Sequence, residues 1–130
     1  MLTAVAGVAG LLIIALVLGL LAGMSRHGTL PPNGTFGIRT RATRASEAAW
    51  RAGHRAAARR MKLAVWIALI CAALVMTTAI LLPTTSEVGD LPVFVVLMVS
   101  YGLLIVCMIF IGRAANKAAR RAQREALDTA

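Results

Sequence analysis

Arg59-Arg60-Met61-Lys62-Leu63-Ala64-Val65-Trp66-Ile67-Ala68-Leu69-Ile70-Cys71-Ala72-Ala73-Leu74-Val75-Met76-Thr77-Thr78-Ala79-Ile80-Leu81-Leu82 is the stretch on which the fold turns. Its charges end at Lys62, and the 20 residues from Leu63 to Leu82 carry none. At a helical rise of about 1.5 Å per residue they reach about 30 Å, the hydrocarbon thickness of a bilayer. In lipid the backbone must satisfy its own hydrogen bonds, and the run is too long for a barrel strand, so it reads as a helix.

Two further charge-free stretches repeat the pattern, Ala4 to Met24 and Val93 to Gly112. The expected fold class is therefore an all-α integral membrane protein with three transmembrane helices. One membrane domain covers 1–130: a first span at 4–24, a loop at 25–62, a second span at 63–82, a turn at 83–92, a third span at 93–112 and a basic tail at 113–130. The rest of the chain is too fragmented to bury a second core. The composition agrees: of 130 residues 59% are hydrophobic, yet 14 Lys and Arg stand against 5 Asp and Glu. A pI near 11.5 first suggests nucleic-acid binding, but so lipid-compatible a chain cannot form a soluble basic patch, and no direct nucleic-acid contact is expected. No Lys or Arg precedes the first stretch and an arginine-rich segment follows it, which argues against a cleaved signal peptide.

The basic residues also set an orientation. Nine lie in the loop (Arg26, Arg39, Arg41, Arg44, Arg51, Arg55, Arg59, Arg60, Lys62), five follow the third span (Arg113, Lys117, Arg120, Arg121, Arg124), and the turn holds only Glu87 and Asp90. Retention of Lys and Arg on the cytoplasmic side places loop and tail inside a cell membrane, with the N-terminus and the turn outside. Anionic lipid head groups are the expected partners of this charge. No Asp, Glu, Lys, Arg or His falls within a span, which disfavours an ion-coupled pump acting alone. Ala15, Gly19 and Gly23 form a small-residue ridge suited to close helix packing, within the chain or in a homo-oligomer. Thr77, Thr78, Ser100 and Tyr101 are polar groups placed to bond across helices or to their own carbonyls.

The loop has two halves. Pro31-Pro32 stops the first helix from extending, Asn33-Gly34 is a turn former, and Gly37 tolerates backbone angles that other residues resist. From Ser46, an N-cap candidate with Glu47 in the first turn, the pattern is that of an amphipathic cytoplasmic helix between the first and second spans. Trp50, His54, Ala57 and Met61 fall within about 60° of one another at about 100° per residue, and Arg51, Arg55, Arg59 and Lys62 form a separate stripe. This predicts a tryptophan face dipping into the membrane interface while the arginines reach lipid phosphates. No breaker separates this helix from Leu63, so the two can run on as one. Beyond the third span, the tail is expected to continue as an amphipathic or partly frayed helix.

The run Asn33-x-x-x-Gly37-Ile38-Arg39-Thr40, followed by Thr43, Ser46, Trp50 and His54-Arg55, resembles the conserved loop of the SdpI family of membrane immunity proteins. The resemblance covers about 80 residues. It implies immunity to a membrane-active peptide toxin, or signalling of its presence through a cytoplasmic regulator held at the membrane. As chemistry, Arg39 can bind a carboxylate or phosphate bidentately, with Asn33, Thr40 and Thr43 orienting it. Trp50 and His54 offer an apolar face and hydrogen-bonding nitrogens. Together they can line a shallow pocket for a lipid head group, a peptide or a partner protein. Taken singly, each residue has a plainer role as turn former, helix cap or interfacial anchor.

Cys71 and Cys107 both fall in apolar spans, and no His-Glu-x-x-His pair, nucleophile elbow or Walker loop is present, so no metal, no cofactor and no enzyme activity are expected. Two other functions fit the same sequence: a structural accessory subunit packing through the Ala15, Gly19 and Gly23 ridge, and a component of an oligomeric transporter.

Overall fold

The computed structural model describes residues 1–32, 36–82 and 91–129. Asn33 and the acidic residues Glu87 and Asp90 of the turn lie outside the described residues. Three α-helices account for most of the described residues: α1 (Leu2–His27), α2 (Glu47–Leu81) and α3 (Leu91–Asp128). Each contains a stretch long and apolar enough to cross a membrane.

At 35 and 38 residues, α2 and α3 would be about 52 and 57 Å long, well beyond a hydrocarbon layer of about 30 Å. The surplus lies at one end of the molecule. The helix expected over the loop's second half is continuous with the second span, and the tail continues the third helix without a break. These extensions pack side by side: Ala49 and Ala119 are buried in one cluster with Ala42 of the loop, and Gly53 sits against the Ala115 carbonyl.

The packing code is a 3–4 alternation of small and branched residues on each helix. On α1 the buried line is Ala4, Gly7, Leu11, Ala15, Leu18, Ala22 and Ser25. On α2 it includes Ala57, Met61, Ala64, Ala68, Cys71, Ala72, Val75 and Ala79. Alanine at this spacing lets backbones approach closely where no hydrophobic effect drives association in lipid. Helix α2 is the shared wall, packing along both α1 and α3. The outward faces carry exposed Leu16, Leu20, Ile70, Leu74, Val99 and Ile105, an apolar surface that suits lipid and would be a liability in water.

Helices α1 and α3 meet closely near the N-terminus of α1. A Cβ at Gly7 would overlap the Leu97 side chain, and one at Gly10 would overlap the Tyr101 hydroxyl; that hydroxyl donates to the Gly7 carbonyl at 3.1 Å. Of the expected ridge, Ala15 is buried in this core, Gly19 is exposed with Val65 Cγ2 3.9 Å from an ideal Cβ, and Gly23 would meet nothing within 4 Å. Thr77, Thr78 and Ser100 bond back to the carbonyls of Ala73, Leu74 and Val96 at 2.7–2.9 Å.

Candidate functional site: the loop between α1 and α2

Helix α1 ends before the prolines do their work. Gly28 adopts the left-handed conformation (φ 69°, ψ 14°), and its N–H donates to the Met24 carbonyl, a glycine C-cap. Pro31-Pro32 therefore follows a helix already terminated. The chain then turns back so that Leu30 is buried and its carbonyl accepts from Trp50 Nε1 at 3.2 Å.

At the other end of the loop Ser46 caps α2, its hydroxyl accepting from the Ala49 N–H at 3.1 Å. Glu47 in the first turn pairs with Arg51 at 2.5 Å. Both are exposed, so the pair adds little beyond local helix support.

Between these anchors the loop folds onto the first two turns of α2. Gly37 has φ 129°, a region L side chains rarely adopt, and an ideal Cβ there would lie 2.7 Å from His54 Nε2 and 3.0 Å from the Trp50 ring. The next N–H, that of Ile38, donates to His54 Nε2 at 2.8 Å. Since an N–H can only donate, Nε2 is the acceptor, and the ring proton sits on Nδ1, which donates to the Trp50 carbonyl at 2.9 Å. The neutral imidazole is thereby held in one tautomer. Burial pushes its pKa below the ordinary 6.5, while the bond to the Trp50 carbonyl opposes that shift.

Thr43 ties the remainder. Its hydroxyl donates to the Ile38 carbonyl at 2.7 Å and accepts from the Thr40 N–H at 3.0 Å, while the Thr43 N–H donates to the Thr40 hydroxyl at 3.2 Å. Thr43 is fully buried, and Gly53 makes room for it: a Cβ on Gly53 would lie 2.9 Å from Thr43 Cγ2 and 3.0 Å from the Ala115 oxygen. Loop, α2 and α3 thus meet at one glycine.

The tryptophan face does not lie in the membrane interface, contrary to the sequence expectation. Trp50 and His54 are each 1% exposed and Ala57 is fully buried; the loop covers the first two, and α1 and α3 cover Ala57. Periodicity marks an apolar face but not what covers it. The exposed Trp66, one turn into the apolar run, lies beside Arg59, Arg60 and Leu63, the surroundings expected of an interfacial tryptophan.

The described motif residues therefore divide. Gly37, Ile38, Thr40, Thr43, Trp50 and His54 are joined by hydrogen bonds and close contacts among themselves. Arg39 is exposed and, among the described residues, bonds to no protein group. It borders a cleft of about 370 Å³ whose walls include Pro32, Thr43, Arg44, Glu47 and Trp50.

A model of the SdpI/YfhL protein family matches residues 29–112, from the first residue after the Gly28 cap to the end of the apolar part of α3. The chain belongs to the SdpI/YfhL family. No curated protein and no solved structure matches it. SdpI/YfhL membership and three membrane-length helices make it a multi-pass membrane protein, and the self-bonded loop falls wholly within the matched region.

Proposed function

We propose that the protein is an SdpI-type immunity or signalling protein, which answers a membrane-active peptide through the loop between α1 and α2. Family membership supports the broad class. One observation carries the finer reading: Thr40, Thr43 and His54 spend their polar groups on the loop's own fold, while the Arg39 guanidinium, exposed like those of Arg41 and Arg44, lines a cleft.

A guanidinium fork on a rigid base suits a carboxylate or phosphate bidentately. Arg44, also lining the cleft, adds a second cation. With nine basic residues in the loop and five in the tail, the cleft faces the cytoplasm on this reading. It would therefore hold an acidic segment of a cytoplasmic regulator rather than meet a toxin from outside. Arrival of the toxin in the bilayer would alter the packing of the helices and, through Gly53, the loop.

In cells lacking the gene, full-length protein should restore tolerance to membrane-active peptides, and Arg39→Ala should not, although it is inserted and folded as well as the parent. Crosslinking from Arg44 should capture a cytoplasmic protein. Unchanged peptide sensitivity on deletion, with no protein captured, would defeat the proposal.

A further inference from the structure

A second cleft, of about 460 Å³, lies where α1 leaves the apolar region and α2 enters it. Arg26 from the last turn of α1 and Arg55, Arg59 and Lys62 from α2 line it, with Ala58 at its base. Arg55, Arg59 and Lys62 follow the i, i+4, i+7 spacing that puts side chains on one helix face. The packing of α1 against α2 then brings Arg26 to the same place. All four are exposed, no carboxylate lines the cleft, and among the described residues none of the four has an ion pair. Four cations gathered without a counter-charge repel one another. An anion relieves that repulsion.

The depth of this cleft follows from the helices alone, whichever way the chain is oriented. Met24 ends one charge-free run and Leu63 begins another, so Arg26 and Lys62 mark a single boundary of the hydrocarbon layer. Trp66 and Leu63, exposed on the adjacent face of α2 together with Arg59 and Arg60, are an aromatic and apolar rim at that level.

Beside the cations, α1 buries Leu18 and Ala22 against α2 but leaves its glycine face uncovered. Gly19, Gly23 and Arg26 share a face of α1 at helical spacing. At Gly23 an added Cβ would meet nothing within 4 Å, and at Gly19 it would reach only Val65, at 3.9 Å. The small-residue ridge thus leaves an open strip leading from the cleft toward the hydrocarbon.

We propose that this cleft binds one anionic phospholipid, its phosphate held by Arg26, Arg55, Arg59 and Lys62 and an acyl chain lying along Gly23 and Gly19. The site is separate from the Arg39 cleft, and no residue lines both.

The test uses full-length protein in nanodiscs or detergent, with native mass spectrometry reading retained lipid. Phosphatidylglycerol should be retained at one per chain and phosphatidylcholine not. At about 1 kcal/mol per basic group near a charged surface, R55Q/R59Q/K62Q should weaken retention about a hundredfold. R120Q/R121Q/R124Q, which removes the same charge from the α3 tail, should leave it unchanged. Gly23→Leu should weaken retention of the two-chain lipid while leaving competition by soluble glycerophosphoglycerol intact. Circular dichroism of each variant should match the parent; if R55Q/R59Q/K62Q loses helix, the single variants R59Q and K62Q, each expected to weaken retention about fivefold, replace it. Equal loss in the tail variant would reduce the site to diffuse charge and overturn the proposal. So would equal retention of phosphatidylcholine, or full occupancy by inorganic phosphate at millimolar concentration with no preference for lipid.

Discussion

Replacing Gly37 by alanine perturbs the loop with a single methyl group. The backbone there has φ 129°, and holding a residue with a side chain in such a region costs about 1–3 kcal/mol. The new Cβ would stand 2.7 Å from His54 Nε2 and 3.0 Å from the Trp50 ring. Neither neighbour can yield. His54 is fixed through both nitrogens, and Trp50 is held by its bond to the Leu30 carbonyl. Relief requires Gly37 to lift away, which breaks the Ile38 N–H bond to His54 and leaves a buried nitrogen unsatisfied, at about 1–3 kcal/mol. The two costs together amount to about 2–6 kcal/mol, opposing closure of this loop alone. In a Trp66→Phe background Trp50 is the single remaining tryptophan, so its fluorescence reports loop closure directly. Gly37→Ala should shift its emission to the red and raise its quenching by acrylamide, with helix content unchanged. Gly23→Ala, which meets open space, should move neither signal. If Trp50 remained as shielded in Gly37→Ala as in the parent, the packing of the loop on α2 would be refuted.

Three further outcomes follow from the same geometry. Thr43→Val keeps the shape but removes a hydroxyl that serves Ile38 and Thr40, and should destabilise the loop by about 1–3 kcal/mol, read by the same fluorescence; Thr43→Ser, which keeps the hydroxyl, should recover most of that loss. His54 has a folded pKa below 6.5, so an opened loop takes up the proton first. Loop stability should be full above about pH 6.5 and fall as pH drops below it, by at most about 1.4 kcal/mol per pH unit, and His54→Gln should abolish that dependence in a fluorescence titration. Tyr101→Phe removes the bond from α3 to the Gly7 carbonyl and should cost about 0.6 kcal/mol in an unfolding assay in bicelles, whereas Gly7→Leu, which collides with Leu97, should cost several times more.

The three long helices were legible because lipid imposes one demand on every residue of a span, and 20 uncharged residues satisfy it in one way. Continuity of the loop helix into α2 was legible for a related reason, the absence of any proline between Ser46 and Leu63, a lone Gly53 being tolerated in a helix. Packing was harder to read. Glycine at spacing four drew attention to Gly19 and Gly23, yet close approach to α3 occurs at Gly7 and Gly10, and the α2 interface is an alanine line from Ala57 to Ala79. Alanine fits the lipid face and the protein face equally well, so its spacing is informative only once a facing helix is known. The same ambiguity explains Trp50. An apolar stripe beside an arginine stripe describes a helix at a membrane surface and a helix roofed by its own loop equally well. The second case depends on Gly28, Leu30 and Gly37, which steer the chain back over the stripe.

That roofing changes what an alanine scan of the motif can reveal. Loss of function at Trp50, His54, Thr43 or Gly37 would be expected from loop opening alone, since each holds another member in place. Those positions cannot separate a recognition site from the framework that supports one. Arg39 can, because its side chain is exposed and truncating it leaves the described hydrogen bonds of the loop intact. Arg39→Ala should therefore leave Trp50 fluorescence and thermal stability within about 0.5 kcal/mol of the parent, the usual range for a surface change, while peptide tolerance falls. Arg39→Lys sharpens the distinction: an ammonium keeps the charge but loses the planar fork. If a carboxylate or phosphate is gripped bidentately, lysine should restore only part of the tolerance. Full restoration by lysine would mean that charge alone suffices, and full tolerance in Arg39→Ala would remove Arg39 from the function altogether.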